Sequence, residues 1–136
     1  GWSKRGAEIF CKIYGRTFVR FGNVMHSEGS VHNAWAKQFK EGSPLTITDL
    51  EMERYTMTIP QACELLIKAV SIAEPGKGLV MDMGKPKKII DMKNELYGED
   101  YPIKIIGIRP GETLTESLMT SNEEKSAIRI DNFYMI

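Results

Sequence analysis

Arg16-Thr17-Phe18-Val19-Arg20-Phe21-Gly22-Asn23-Val24 is the stretch on which the reading of the fold turns. Thr17 to Phe21 is β-branched and aromatic, the composition of a short buried strand. Gly22 to Ser30 (GNVMHSEGS) breaks that pattern with Gly, Asn and Ser, so a loop leaves the strand's carboxyl end. Upstream, residues 1–14 read as a helix: Ala7, Phe10, Cys11 and Tyr14 share a face, Ser3 can cap it and Gly15 ends it. A helix feeding one buried strand reads as the tail end of a parallel sheet whose earlier strands are absent. The start at Gly1 instead of Met is expected of a processed or cut chain.

Downstream, Val31–Lys40 is predicted helical, with Trp35 and Phe39 one turn apart. Leu45–Thr48 reads as a strand and Thr56–Ile59 as extended chain. Pro60 suits the first turn of a helix running to Ala73. Its stripe of Ala62, Leu65, Leu66, Ala69, Val70 and Ala73 is expected to face a core. Leu79–Met83 reads as a strand, Lys85-Pro86-Lys87-Lys88 as a solvated basic turn, and Ile89-Ile90 as a short strand. Asp91 is expected to cap a helix to Tyr97. Ile103–Ile108 is a predicted strand, and Arg109-Pro110-Gly111-Glu112 is expected to open a helix to Leu118. Ala127–Ile130 closes the strands, and residues 131–136 read as a tail. Alternating helices and strands imply an α/β class.

The 136 residues make one ordinary domain. Lys plus Arg and Asp plus Glu are both 18, a zero net charge that argues against a nucleic-acid binder. An apolar fraction of 42 % with 26 % charged residues fits a globular protein and excludes a disordered tail. No apolar run approaches a membrane span. Cys11 and Cys63 read as reduced core thiols and suggest a cytoplasmic setting. His26 and His32 have no metal-site partners and are expected to be solvated, so no metal is expected. Met52, Met57, Met81 and Met83 read as core filler.

Two polar turns follow strands, where α/β sheets bind ligands. Asn23 offers amide donors and an acceptor, Arg109 a fork suited to phosphate, and Glu112 a carboxylate suited to paired hydroxyls. Arg54 lies in a third polar segment. Two arginines, one amide and one carboxylate could grip a sugar diphosphate. No glycine-rich dinucleotide loop, P-loop or nucleophile triad is legible.

Five strings occur in a telling order: Arg20-Phe21-Gly22-Asn23-Val24; Gly29-Ser30-Val31; Pro44 to Asp49; Met52-Glu53-Arg54-Tyr55-Thr56-Met57-Thr58; and Gly107-Ile108-Arg109-Pro110-Gly111-Glu112. With Met81-Asp82-Met83-Gly84, Ile89-Ile90-Asp91 and the ending Phe133-Tyr134-Met135-Ile136, the chain resembles the CapD-type polysaccharide biosynthesis family throughout. These are extended short-chain dehydrogenase/reductases acting on UDP-N-acetylhexosamines as 4,6-dehydratases or epimerases. The resemblance implies the C-terminal part of a Rossmann-like enzyme with its smaller substrate-binding subdomain, residues 1–30 being the tail of the Rossmann-like part and 31–136 mostly the substrate-binding part of a single domain. It implies that Asn23 holds the sugar nucleotide near its diphosphate, Arg54 and Arg109 neutralise that diphosphate, and Glu112 takes the uridine ribose hydroxyls. Gly1-Trp2-Ser3-Lys4-Arg5 resembles the segment carrying the catalytic lysine, which places Lys4 in that role. In the full-length family NAD(P) removes a hydride from the hexose C4 and returns it later. The glycine-rich loop for that cofactor is absent, so this chain alone is expected to bind none.

The sequence departs from the family at four positions. His26 and Glu28 stand where a small residue and an arginine are usual, Asn33 replaces a proline, and Ala36 replaces a lysine. A UDP-sugar is thus the expected partner, on a weakened anion site. The alternative is a non-catalytic remnant or assembly module. An unpaired edge at Thr17–Phe21 invites another chain, so homo-oligomers are expected.

Overall fold

A computed structural model describes residues 2–136. In chain order the elements are α1 (Trp2–Ile13), β1 (Phe18–Arg20), β2 (Asn23–Val24), α2 (Val31–Lys40), β3 (Leu45–Ile47), β4 (Glu53–Arg54), β5 (Thr56–Met57) and α3 (Ile59–Ile72). There follow β6 (Gly78–Met81), β7 (Lys87–Lys88), α4 (Ile89–Tyr97), β8 (Ile103–Ile105), α5 (Ser121–Ser126), β9 (Ile128–Ile130) and β10 (Phe133–Met135). The expected helix start at Gly1 lies outside the described residues. Ser3 falls inside α1 and so does not cap it. The chain packs as two units and crosses between them at 21/22, 59/60, 82/83 and 116/117. The linear reading drew a single division, at residue 30.

The first unit holds a sheet of order β1-β6-β10-β9. Thr17–Phe21 does supply a strand, and β1 runs parallel to β6 with Phe18 opposite Gly78. Gly78 is required there, because a Cβ would run into the Phe18 ring. The segment 131–136, expected as a tail, instead puts β10 inside the sheet, antiparallel to both β6 and β9. Alternation explains this: Phe133 and Met135 are buried while Tyr134 between them is half-buried. Ile136 and Gly78 then exchange both backbone hydrogen bonds at 2.9 Å.

Arg20 is the polar centre of this unit. Its Nε and Nη2 donate to the Glu8 carboxylate at 2.9 and 2.8 Å. Its Nη1 and Nη2 donate to Glu123 at 2.8 and 2.9 Å, and Nη1 also reaches the Leu118 carbonyl at 2.8 Å. One planar fork thus ties α1, β1, the 118–120 turn and α5. Glu123 also closes a capping box with Thr120, which starts α5. These bonds, Arg20's first, hold the Glu123 carboxyl down at about 2. The helix expected over Glu112–Leu118 is absent; the helical turn begins only at Ser121.

Two expected apolar faces are not buried. On α3 only Leu65 and Ala69 are buried, whereas Leu66 and Val70 are exposed, Val70 at 90 %. At the end of α1, Phe10 and Tyr14 just beyond it pack with ring centroids 4.3 Å apart but remain exposed. Helical periodicity marks an apolar face, and burial needs a partner element that this unit does not present. Thr17–Val19, Leu66, Ala69, Val70 and Ala73 instead line an open groove of about 390 Å³ along β1. Cys63, expected in the core, is exposed on α3.

The second unit is built around Trp35, Leu45, Ile47, Met52, Ile89 and Met92. Trp35 Nε1 donates to the Thr46 carbonyl at 2.8 Å, which satisfies its one polar atom in the core. Parallel β3 and β8 lie beneath, with Leu45 opposite Ile103. Ile89 and Ile90 open α4 and form no strand. Lys88 takes the N-cap position and Asp91 sits within the first turn. The Ile89 N–H finds the Met52 carbonyl at 2.9 Å, so the pair turns inward as a helix start. Lys93 is buried and donates to the Gly98 and Glu99 carbonyls at 2.7 and 2.9 Å, closing the same helix's C-terminal end. The α/β class expected from alternation therefore holds, with parallel pairs β1–β6, β2–β5 and β3–β8.

The Arg20 centre has a pH signature. Glu123 sits at about 2 when folded against 4.5 in a free chain. A depressed carboxyl stabilises the fold above its unfolded value, and that contribution is lost as pH falls from about 5 towards 2. Urea unfolding across this range should show the loss, and Glu123→Gln should flatten it. Arg20→Ala should cost about 2–4 kcal/mol at neutral pH in the same measurement.

Candidate functional site

The second unit brings four expected site residues into neighbouring segments. Gly22 approaches the Tyr55 carbonyl and Met83 so closely that an ideal Cβ would lie 2.7 Å from the former and 2.8 Å from its sulfur. The absence of that Cβ lets Asn23 N–H donate to the Tyr55 carbonyl at 2.7 Å and lets β2 pair with β5. Asn23 is exposed at this edge, opposite Thr56. The loop beyond is held by Ser27, whose hydroxyl donates to the Val24 carbonyl at 2.8 Å, and by Asn33, whose amide donates to Ser27 at 2.9 Å. Asn33, where the family has proline, thus gains a bond that proline cannot make.

His26 in this loop has φ 61°, a left-handed conformation that favours glycine. The His26 ring lies 5.1 Å from the His32 ring, and His32 packs 5.9 Å from Trp35. His32 is buried, contrary to the expectation of a solvated pair, and burial, with His26 as a lesser cause, lowers its pKa. A neutral His32 favours the fold above the ordinary imidazole range and weakens it below that range.

Arg54 is 7 % exposed, on β4. Its Nη1 donates to the Glu53 and Leu114 carbonyls at 2.7 and 2.9 Å. Leu114's carbonyl also accepts the Glu53 N–H at 2.8 Å, and Glu53 bridges to Thr115. These bonds take the Leu114 carbonyl that a 112–118 helix would need, which accounts for the irregular chain found there. The segment 112–116 is therefore strapped to Arg54's strand. Arg54 Nε faces Glu116 Oε1 at 3.9 Å.

Arg109-Pro110-Gly111-Glu112 forms a tight turn in which Glu112 N–H donates to the Arg109 carbonyl at 3.0 Å. Proline at the second position and Gly111 at φ 86° are the signature of a type II turn. Glu112 Oε2 accepts the Arg109 N–H at 3.2 Å, so the carboxylate folds back over the turn. Arg109 is exposed and Glu112 half-buried. Lys4 is in the first unit, exposed on the first turn of α1. Gly22, the Leu114 carbonyl and Glu116 were missed in the sequence; only Gly22 carried a signal, its place between a strand and Asn23. Among the described residues no group of three or more His, Cys, Asp or Glu could hold a metal ion, and no helix is long and apolar enough to cross a membrane.

Fold and turn together define an α/β protein with an exposed polar turn beside its second core, and this can be set against known proteins. The chain belongs to the polysaccharide biosynthesis protein family, whose pattern matches residues 2–136. It is 47 % identical over 111 residues to the capsular polysaccharide biosynthesis protein CapD of Staphylococcus aureus, covering 77 % of this chain and 18 % of that one. It is 33 % identical over 122 residues to a UDP-glucose 4-epimerase of Rickettsia akari, covering 87 % of this chain and 35 % of that one. The X-ray structure of Pen from Bacillus thuringiensis superimposes with a TM-score of 0.91 at 35 % identity, covering all of this chain and 47 % of that one. The chain thus spans less than half the length of these relatives.

Gly22→Ala should cost about 1–3 kcal/mol, because the new methyl has no room beside Tyr55 and Met83. Thermal unfolding checks the cost. Amide shifts in a two-dimensional NMR spectrum should change at Asn23, Val24, Tyr55 and Thr56 and leave β9 and β10 untouched.

Proposed function

We propose that this chain forms the UDP-sugar-binding part of a nucleotide-sugar 4,6-dehydratase or 4-epimerase of surface polysaccharide biosynthesis, and that it is inactive alone. The observation that carries this reading is the strapping of the Arg109–Glu112 turn's outgoing chain to Arg54. It puts an exposed guanidinium and a folded-back carboxylate on the segment that Arg54 anchors. In this reading Arg109 and Arg54 face the diphosphate, Glu112 accepts the ribose hydroxyls and Asn23 bonds the phosphate or sugar edge. Lys4 is assigned the catalytic lysine position, and the assembled enzyme is cytoplasmic.

NAD(P) serves the hydride transfer in enzymes of this kind, and the residues here do not fit it. Neither β1 nor β6 runs into a glycine-rich turn and helix N-terminus; each leads into a further short strand. No step through the cofactor is therefore assigned to this chain. Isothermal titration of UDP and of NAD tests the reading. UDP should bind weakly and NAD should give no signal. Arg109→Ala should weaken UDP roughly 10–100-fold, the worth of a charged hydrogen bond. NAD binding without UDP binding overturns the proposal.

A second reading, an assembly module, draws on the first unit. Strand β1 is the outer strand of its sheet among the described residues, and the apolar groove runs beside it. Such an edge favours added strands. Light scattering should then show dimers or larger species, and a monomer across the micromolar range removes this reading.

A further inference from the structure

We infer that Glu116 is an internal counter-ion that occupies Arg54 in the absence of ligand and must leave when a diphosphate binds. This rests on the proposed nucleotide-diphosphate site and adds a residue that restrains its affinity. Arg54 is fixed: it is 7 % exposed and its Nη1 is held by two carbonyls, at 2.7 and 2.9 Å. Glu116 is not: its side chain is 56 % exposed and its carboxylate only leans on Arg54 Nε at 3.9 Å. That separation is beyond hydrogen-bond range, so the pair is ionic only and weak. The asymmetry gives the carboxylate the role of the removable part. A phosphate arriving at the same guanidinium brings more charge and better geometry, and the surface carboxylate can swing into water at little cost. Glu116 also sits on the segment that carries Glu112, two residues beyond the Leu114 carbonyl that Arg54 holds. Its charge therefore opposes an anion next to the group meant to attract one.

The test titrates the 136-residue chain with UDP, UMP and uridine, following amide shifts by NMR at constant pH and ionic strength. Glu116→Gln should tighten UDP about three- to tenfold, UMP less, and uridine not at all. Glu41→Gln, which removes the same charge from the exposed C-cap of α2, should leave all three unchanged. A Glu116→Gln chain that binds UDP no more tightly than the parent overturns the inference, as does an equal gain for uridine or an equal gain from Glu41→Gln. The underlying reading fails differently: the parent and Arg109→Ala would then show the same response to UDP. Glu116 is exposed, so circular dichroism should find the variant folded. Were it unfolded, Glu116→Asp, with a shorter reach, should give a smaller gain than Gln is expected to give, and no gain there overturns the inference.

Discussion

One nitrogen of Arg54 holds two main-chain carbonyls, those of Glu53 and Leu114, and the candidate site depends on that clasp. A buried guanidinium needs acceptors, and the Glu53 carbonyl and the Leu114 carbonyl, which also takes the Glu53 N–H, supply them. These bonds tie the chain after Gly111 to β4. Because Leu114 is held by β4, residues 112–116 form no helix, and the Arg109–Glu112 turn is offered on a strap and not at a helix start. Arg54 is thus a structural member of the candidate site.

The first unit follows the same logic with Arg20. A single five-donor fork gathers two carboxylates and a carbonyl from segments far apart in sequence. Hydrophobic burial there is thin on the outer side, where α1 and α3 keep large apolar side chains in contact with water. The charged centre and the β6–β10 pairing carry proportionally more of that unit's definition.

Departures from the family's pattern acquire physical meaning in the second unit. His26 accepts a left-handed backbone that glycine would adopt freely, and it gains a ring contact with buried His32. Asn33 ties the loop where proline would have stiffened it. The loop after Asn23 is therefore kept in place by side-chain bonds.

Local signals were legible from residues alone wherever one residue dictates a conformation. Pro110-Gly111 spelled a turn, and the β-branched run at Thr17 spelled a strand. Trp35 and Phe39 marked a helix whose bounds, Val31–Lys40, match the expectation. The order of motifs was enough to indicate the family and to nominate Asn23, Arg54, Arg109 and Glu112. What pairs with what was not legible, because a hydrogen bond between distant segments leaves no periodicity in either of them. Residues 131–136 looked like a tail until β6 supplied an edge for β10. Leu66 and Val70 looked like core until no element came to cover them. Glu112–Leu118 looked like a helix until Arg54 and Glu53 took the Leu114 carbonyl. Sequence alone determined the local conformers and the chemistry on offer. Tertiary structure decided which of those groups are buried, paired or opposed, since burial and pairing are properties of two segments at once.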